Sequence, residues 1–344
     1  MVGRKLASGN RAIQAGSCQR REGNADPWHL DHLAADRQGG HVVADSHSGH
    51  RAAQPPGPAS LTVRAALARW TVVELFHPIP SLLTTLAALG FAWIFGIGSR
   101  DRRFWWIASI MLLVQFSISA LNEWADADLD RRARRQRPIP LGLVSRGAAL
   151  AIAVVAAVGA FLLCVLADLG PFALLLVGIG TACGWAYDLR LKATPLSVVP
   201  FAIAFPLMPF WIGVLAARPL SSLVILFLGG GPLAAAIHLA DAIPDRDADR
   251  AAGLRTLAVA LGAPRAELAA AGLLLLGSLV STVLVIRGGQ SSTAALSLVA
   301  VVGSGLVVAL SSRVGRLSSL FGKWMVIAAA ALAALPLVAQ TSGR

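Results

Sequence analysis

Two short acidic stretches carry the residue types that could do chemistry in this chain. The first reads Leu121-Asn122-Glu123-Trp124-Ala125-Asp126-Ala127-Asp128-Leu129-Asp130, with an arginine run and Arg137-Pro138-Ile139-Pro140 downstream. The second reads His238-Leu239-Ala240-Asp241-Ala242-Ile243-Pro244-Asp245-Arg246-Asp247-Ala248-Asp249, then Gly253-Leu254-Arg255-Thr256-Leu257. Both place a polar group at every fourth position: Asn122, Asp126 and Asp130, then Asp241, Asp245 and Asp249. On a helix that interval drifts only ~40° per step beyond a full turn, so each triplet makes one stripe. Facing carboxylate stripes repel unless cations sit between them. An all-oxygen donor set suits Mg²⁺, which keeps some waters and takes further ligands from substrate phosphates. Arg137 and the loop Tyr187-Asp188-Leu189-Arg190-Leu191-Lys192 add the positive groups a diphosphate would need.

The elements that must hold these stretches are apolar. Of 344 residues, 56% are hydrophobic and only 14% charged, with a mean hydropathy of +0.67. A soluble chain carries roughly a quarter charged residues, so a soluble enzyme, a fibrous protein and a disordered chain are excluded in favour of a polytopic membrane protein. Nine apolar segments approach the ~20 residues that cross a bilayer. They cover approximately 78–97, 104–122, 147–167, 171–187, 196–217, 220–240, 265–286, 291–311 and 323–340. With the N-terminus cytoplasmic, the inner regions hold seventeen Lys and Arg and the outer regions six. The positive-inside rule therefore predicts a cytoplasmic N-terminus, in a cell membrane. Four crossings separate the two acidic stretches, which puts both at the inner face.

The excess of Lys and Arg (30) over Asp and Glu (18) does not indicate a nucleic-acid partner, because the basic residues lie in short loops between apolar blocks. Cys18, Cys164 and Cys183 show neither metal-knuckle nor disulfide spacing. Residues 1–62 hold His29, His32, His41, His47 and His50 in an otherwise Gly-, Ser-, Gln- and Arg-rich stretch. Too little apolar surface is present there to offset ordering entropy, so a disordered extension is expected, with no signal peptide. A start codon assigned too far upstream would account for it. Residues 63–344 form the transmembrane domain.

The pattern N-x3-D-x3-D with R-P-I-P downstream resembles the first aspartate-rich motif of the UbiA superfamily of intramembrane prenyltransferases. The pattern D-x3-D-x3-D-x3-G-x2-T-L resembles the second, and Tyr187-Asp188-Leu189-Arg190-Leu191-Lys192 resembles the loop between that family's fourth and fifth helices. The resemblance covers about residues 65–340 and implies an all-α bundle around a central cavity open to lipid. It implies transfer of a prenyl group from an isoprenyl diphosphate donor to a lipophilic acceptor, with diphosphate released. Chlorins, quinone precursors and glyceryl lipids are the implied acceptor types. Asn122, Asp126, Asp130, Asp241, Asp245 and Asp249 would hold two Mg²⁺ ions, and Arg137, Lys192 and Arg190 would contact the diphosphate. Tyr187 would stabilise positive charge at the allylic carbon, so Asp126, Asp130, Asp245 and Tyr187 are the expected catalytic set. Glu123 departs from the Asp common after the Asn, and Pro244 would kink a helix within the second motif.

Blander readings hold elsewhere. His238 reads as a hydrogen-bonded helix residue more readily than as a proton acceptor. Trp93, Trp105, Trp106 and Trp211 read as interfacial belts or packing, and Gly229-Gly230-Gly231 as a close helix approach. A terpene cyclase on the same scaffold is the alternative enzyme. A cation-coupled transporter is the alternative of another class, disfavoured because its carboxylates would lie nearer mid-membrane.

Overall fold

The computed structural model describes residues 71–289, 291–314 and 320–341. The expected disordered extension lies outside the described residues, with its five histidines and Cys18. Among the described residues the protein is helical, with no strand. The principal helices are α1 (Pro78–Ile94), α2 (Arg102–Arg132), α3 (Arg146–Leu166), α4 (Pro171–Leu189), α5 (Val198–Leu215) and α6 (Ile225–Ala242). They are followed by α7 (Arg246–Ala251), α8 (Leu257–Leu261), α9 (Ala263–Arg287), α10 (Ser291–Val314) and α11 (Leu320–Thr341).

Seven helical stretches are long and apolar enough to cross a membrane, and two shorter apolar ones, Pro78–Ile94 and Ala295–Val307, fall where further spans are expected. The apolar pattern therefore places a helix at each expected segment, seven of them long and apolar enough to cross.

The largest difference from the sequence expectation is in α2, which continues well past its apolar stretch to Arg132. Nothing in Trp124–Arg132 breaks a helix, and Arg131 pairs with Asp128 one turn back at 3.2 Å. The first acidic stripe is therefore carried on the same rod as a membrane span rather than on a loop. The rod ends where Arg134 adopts a left-handed backbone (φ 52°). The second stripe is split. α6 stops at Ala242, Pro244 lies in the turn, and Asp245 sits before the first residue of α7. A proline removes a helical donor and clashes with the preceding turn, which accounts for the break.

Close approach holds the second half together. α6 packs against α5, α9 and α11. A Cβ on Gly229 would land on Ser281 Oγ and Leu337, and one on Gly230 would meet Pro206 at 3.1 Å. The triple glycine is the close contact expected of it. Buried Ala236, Ala240, Ala266, Ala270, Ala329 and Ala333 continue that thin seam between α6, α9 and α11. A separate cluster built on Ile107, Ile110, Phe95, Trp211, Ile212 and Leu226 fills the half of α1, α2, α4 and α5 away from the acidic stretches.

Candidate active site

α2, α4 and α5 run alongside one another and bring Asn122, Tyr187 and Pro200 to one level near the end of the bundle that carries the acidic stretches. Between them and α1 lies a cavity of about 400 Å³. Its end at that level is polar, lined by His77, Asn122, Tyr187 and Asp188. Its deeper wall is apolar, built from residues such as Ile110, Val114, Leu176, Phe205, Leu207 and Trp211.

At the polar end the side chains form two pairs and a trio. Asn122 donates its amide Nδ2–H to Asp188 Oδ1 at 2.7 Å. Glu123 is 2% exposed and faces His77 Nε2 at 2.9 Å and Arg137 at 3.3 Å. Lys192 Nζ meets Asp126 at 2.5 Å. His77 reaches this position because its backbone is left-handed (φ 43°), which turns a short 3-10 helix, Glu74–Phe76, into α1 with Pro78 as the first helical residue.

The two acidic stripes converge on Tyr187. Its ring stands edge-on to Phe201 (5.1 Å) and His238 (5.7 Å). Its hydroxyl lies within electrostatic range of Asp126 and Asp188 from the first half of the chain and Asp241 and Asp249 from the second. Asp130, 3% exposed, receives Arg135 at 3.1 Å, and the same arginine acts electrostatically on Asp249. Burial first, and then the neighbouring Asp245 charge, push the Asp249 carboxyl above its ordinary range. The Arg255 N–H donates to Ala193 O at 3.0 Å, joining the second motif's tail to the Lys192 loop.

The remaining expected residues sit less deeply. Asp241 is exposed and paired with Lys323, Asp245 is exposed, and Arg190 lies exposed at the end of α4. Among the described residues no three His, Cys, Asp or Glu side chains come together closely enough to hold a metal ion by themselves. His238 is buried, bonded to Ser197 Oγ at 3.1 Å and stacked on Phe201 at 4.1 Å, as its bland reading anticipates.

Sequence reasoning gave no role to His77 or Asp188. Their partners lie 46 and 66 positions away, and no local pattern marks such pairs. Trp211 is not in an interfacial belt: it is 3% exposed and lines the cavity, whereas Trp93 and Trp105 are exposed near the helix ends away from the acidic stretches. α5 is apolar all round, so its sequence carries no signal of which face turns inward.

The sequence matches the UbiA prenyltransferase family over residues 81–318. It is 32% identical over 218 residues to a digeranylgeranylglyceryl phosphate synthase from Korarchaeum cryptofilum, covering 62% of this chain and 74% of that one. It is 31% identical over 194 residues to a 4-hydroxybenzoate octaprenyltransferase from Polynucleobacter asymbioticus, covering 56% and 67%. A solved digeranylgeranylglyceryl phosphate synthase superposes with a TM-score of 0.66 at 15% identity, covering 80% of this chain and 99% of that one. A UbiA homologue from Archaeoglobus fulgidus, solved with GPP and Mg²⁺, superposes with a TM-score of 0.61 at 18% identity, covering 78% and 98%. Likeness at such low identity establishes the fold, and the family match with the closer relatives establishes the rest. This chain belongs to the UbiA prenyltransferase family and is an integral membrane prenyltransferase.

Proposed function

We propose that the protein transfers a prenyl group from an isoprenyl diphosphate to a lipophilic acceptor of the glyceryl-lipid, quinone-precursor or chlorin type, with Mg²⁺ bound and diphosphate released at the cytoplasmic face. The observation that carries this reading is the convergence of both acidic stripes on Tyr187, at the polar mouth of an apolar cavity. The two relatives above are named for a glyceryl-lipid and a quinone-precursor acceptor, which supports that range.

The donor set fits Mg²⁺. It is oxygen throughout, and Mg²⁺ is ordinarily held by one or two carboxylates plus substrate phosphates rather than by an all-protein cage. Scattered pairs of carboxylates, with no ready-made triad, match that habit. Asp188 Oδ2, beside Asn122, is buried with no hydrogen-bond partner among the described residues. Asn122, Asp126 and Asp130, with Asp241, Asp245 and Asp249, would hold the ions. When bound, Mg²⁺ supplies neutralisation of the charge that builds on the leaving diphosphate.

The chain's own groups do the rest. Lys192 turns from Asp126 to the diphosphate, joined by Arg137 and Arg190 at the rim. The donor's C–O bond breaks with its electron pair leaving on diphosphate, and the Tyr187 ring faces the allylic carbon as positive charge develops there. The acceptor's nucleophile bonds to that carbon and then loses its proton. The apolar walls keep water from competing, and their low polarity strengthens the fixed charges at the mouth.

Incubating purified protein with Mg²⁺, a series of isoprenyl diphosphates and a lipid extract tests this. Diphosphate release with a matching mass gain on one lipid is expected. Asp126→Asn should lower the rate by about 100-fold or more while leaving the melting temperature unchanged. Parent-like turnover by that variant would overturn the assignment. Release accompanied only by hydrocarbon or alcohol products would indicate a cyclase.

A further inference from the structure

The geometry points to His77 as the base that takes the acceptor's proton, and hence to an acceptor whose nucleophile is an alcohol hydroxyl. This rests on the transfer reading, in which the acceptor's proton has no destination among the groups already placed.

The position of His77 is built rather than incidental. Leu75, 1% exposed, is sunk among Ala120, Leu121, Ala149 and Ala153, and Phe76 lies against Phe116 with ring centroids 4.7 Å apart. The Ser81 hydroxyl donates to Phe76 O at 2.7 Å, and the Ser81 N–H donates to His77 O at 3.0 Å. These contacts hold a histidine in the left-handed region (φ 43°), where a side chain is strained. Such strain persists only where the surroundings over-determine it, and it clusters at sites of function. Its result here is an imidazole on the polar wall that Asn122, Tyr187 and Asp188 share.

The bond to Glu123 fixes which nitrogen can act. A carboxylate accepts and does not donate, so the 2.9 Å contact assigns the hydrogen to Nε2. Nδ1 is then the ring's open lone pair, on a side chain that lines the cavity. The same carboxylate steadies the imidazolium that forms when Nδ1 takes a proton, as a buried acid does for a histidine base. Arg137 shares Glu123, yet Glu123 Oε2 keeps no hydrogen-bond partner among the described residues, so the carboxylate is not saturated. Asp188 on α4 also lies within electrostatic range of the ring.

The step balances. The alcohol O–H gives its proton to His77 Nδ1 as its oxygen bonds to the allylic carbon. The donor's C–O bond breaks, and its electron pair leaves on diphosphate. With its side chain 25% exposed, His77 then returns the proton to water. An alcohol needs such a base, because attack would otherwise leave a strongly acidic oxonium. An acceptor carboxylate arrives without a proton, and an aromatic carbon sheds its own only after the new bond has formed. A positioned base therefore serves the alcohol most.

The test gives purified protein geranylgeranyl diphosphate, Mg²⁺ and one of three acceptors: a prenylglyceryl phosphate with one free hydroxyl, 4-hydroxybenzoate, or a chlorin propionate. Transfer to the glyceryl hydroxyl is expected. His77→Gln should lower kcat about 100-fold while binding a non-hydrolysable geranylgeranyl thiodiphosphate as the parent does. His77→Gly adopts the left-handed backbone without strain, which covers a fold failure of the glutamine variant. Imidazole added to that glycine variant should restore its rate by about tenfold. Glu123→Gln keeps an acceptor for the Nε2 hydrogen but not the charge, and should lose about tenfold in kcat at unchanged donor affinity. Parent-like turnover by folded His77→Gln, or a loss in His77→Gly that imidazole does not restore, would overturn the inference. Transfer only to 4-hydroxybenzoate or to the chlorin would overturn it as well. No product from the parent with any acceptor, a lipid extract included, would instead remove the transfer reading, and the inference with it.

Discussion

At the scale of single residues, the mouth of the cavity depends on paired charges that the sequence shows only in part. Asp126, Asp130 and Lys192 are legible from spacing and from the motif they resemble. Glu123 is legible only as an oddity, because its meaning lies in a contact with His77, supplied by the turn that leads into α1. It is buried, with His77 and Arg137 both reaching it and its Oε2 left without a hydrogen-bond partner among the described residues. Removing such a carboxylate strands two basic groups. Each retains some access to water, with side-chain exposures of 25% and 35%, so the expected cost is about 1–3 kcal/mol rather than that of a sealed ion pair. Glu123→Ala should therefore melt several degrees below the parent in detergent. Glu123→Gln, which keeps an acceptor, should lose less. A parent-like melting curve for Glu123→Ala would show that the His77 and Arg137 contacts add nothing to the fold. Asp126→Asn serves as the contrast, since Asp126 pairs with a lysine at the rim and its loss should register in turnover.

At the scale of elements, the apolar blocks give away the helices but not their faces or their exact lengths. The extension of α2 beyond its apolar stretch is compatible with Trp124–Arg132 in hindsight, yet hydropathy ends the segment at 122 because charge marks the membrane boundary and not the helix end. The break between α6 and α7 is more legible, because Pro244 cannot continue a helix. Glycine is legible as well. In Gly229-Gly230-Gly231 the missing side chains allow α6 to seat against α9 and α11, and a Cβ at Gly229 meets Ser281 Oγ with no room to spare. Gly229→Val should push α6 off α9, at an overpacking cost of about 1–3 kcal/mol. Because α6 leads directly into Asp241, the displacement should also weaken Mg²⁺-dependent binding of a prenyl diphosphate analogue. A stable, fully binding Gly229→Val protein would mean that the seam repacks freely and does not position the second stripe. Gly272, with nothing within 4 Å of its would-be Cβ, is the control: Gly272→Ala on the same partner helix α9 should be neutral or mildly stabilising.

At the scale of the whole molecule, orientation decides which compartment supplies the donor. The described helices can be threaded through a bilayer either way, and the choice falls to the loops. Arg131, Arg132, Arg134, Arg135 and Arg137 follow α2, whereas the opposite end of that helix has Arg100, Arg102 and Arg103 around Asp101. That outer cluster is partly neutralised. Asp101 caps α2 and grips Arg103 through both oxygens, and the Arg103 guanidinium also donates to Leu215 O at 2.7 Å. These bonds hold the Asp101 carboxyl below its ordinary range, so the pair stays charged at neutral pH. Three arginines, one of them folded onto Asp101 and a carbonyl, are a weaker retention signal than the five at and beyond the other end of α2, and that balance supports a cytoplasmic N-terminus. Single-cysteine labelling checks this directly. In a variant with Cys18, Cys164 and Cys183 replaced by Ser, Arg134→Cys should resist a membrane-impermeant maleimide in intact cells and react once the membrane is opened. Arg100→Cys should react from outside at once. The reverse pattern would place the acidic stripes on the external face, away from cytoplasmic prenyl diphosphates, and the proposed donor would then have to be one presented from the lipid of the outer leaflet.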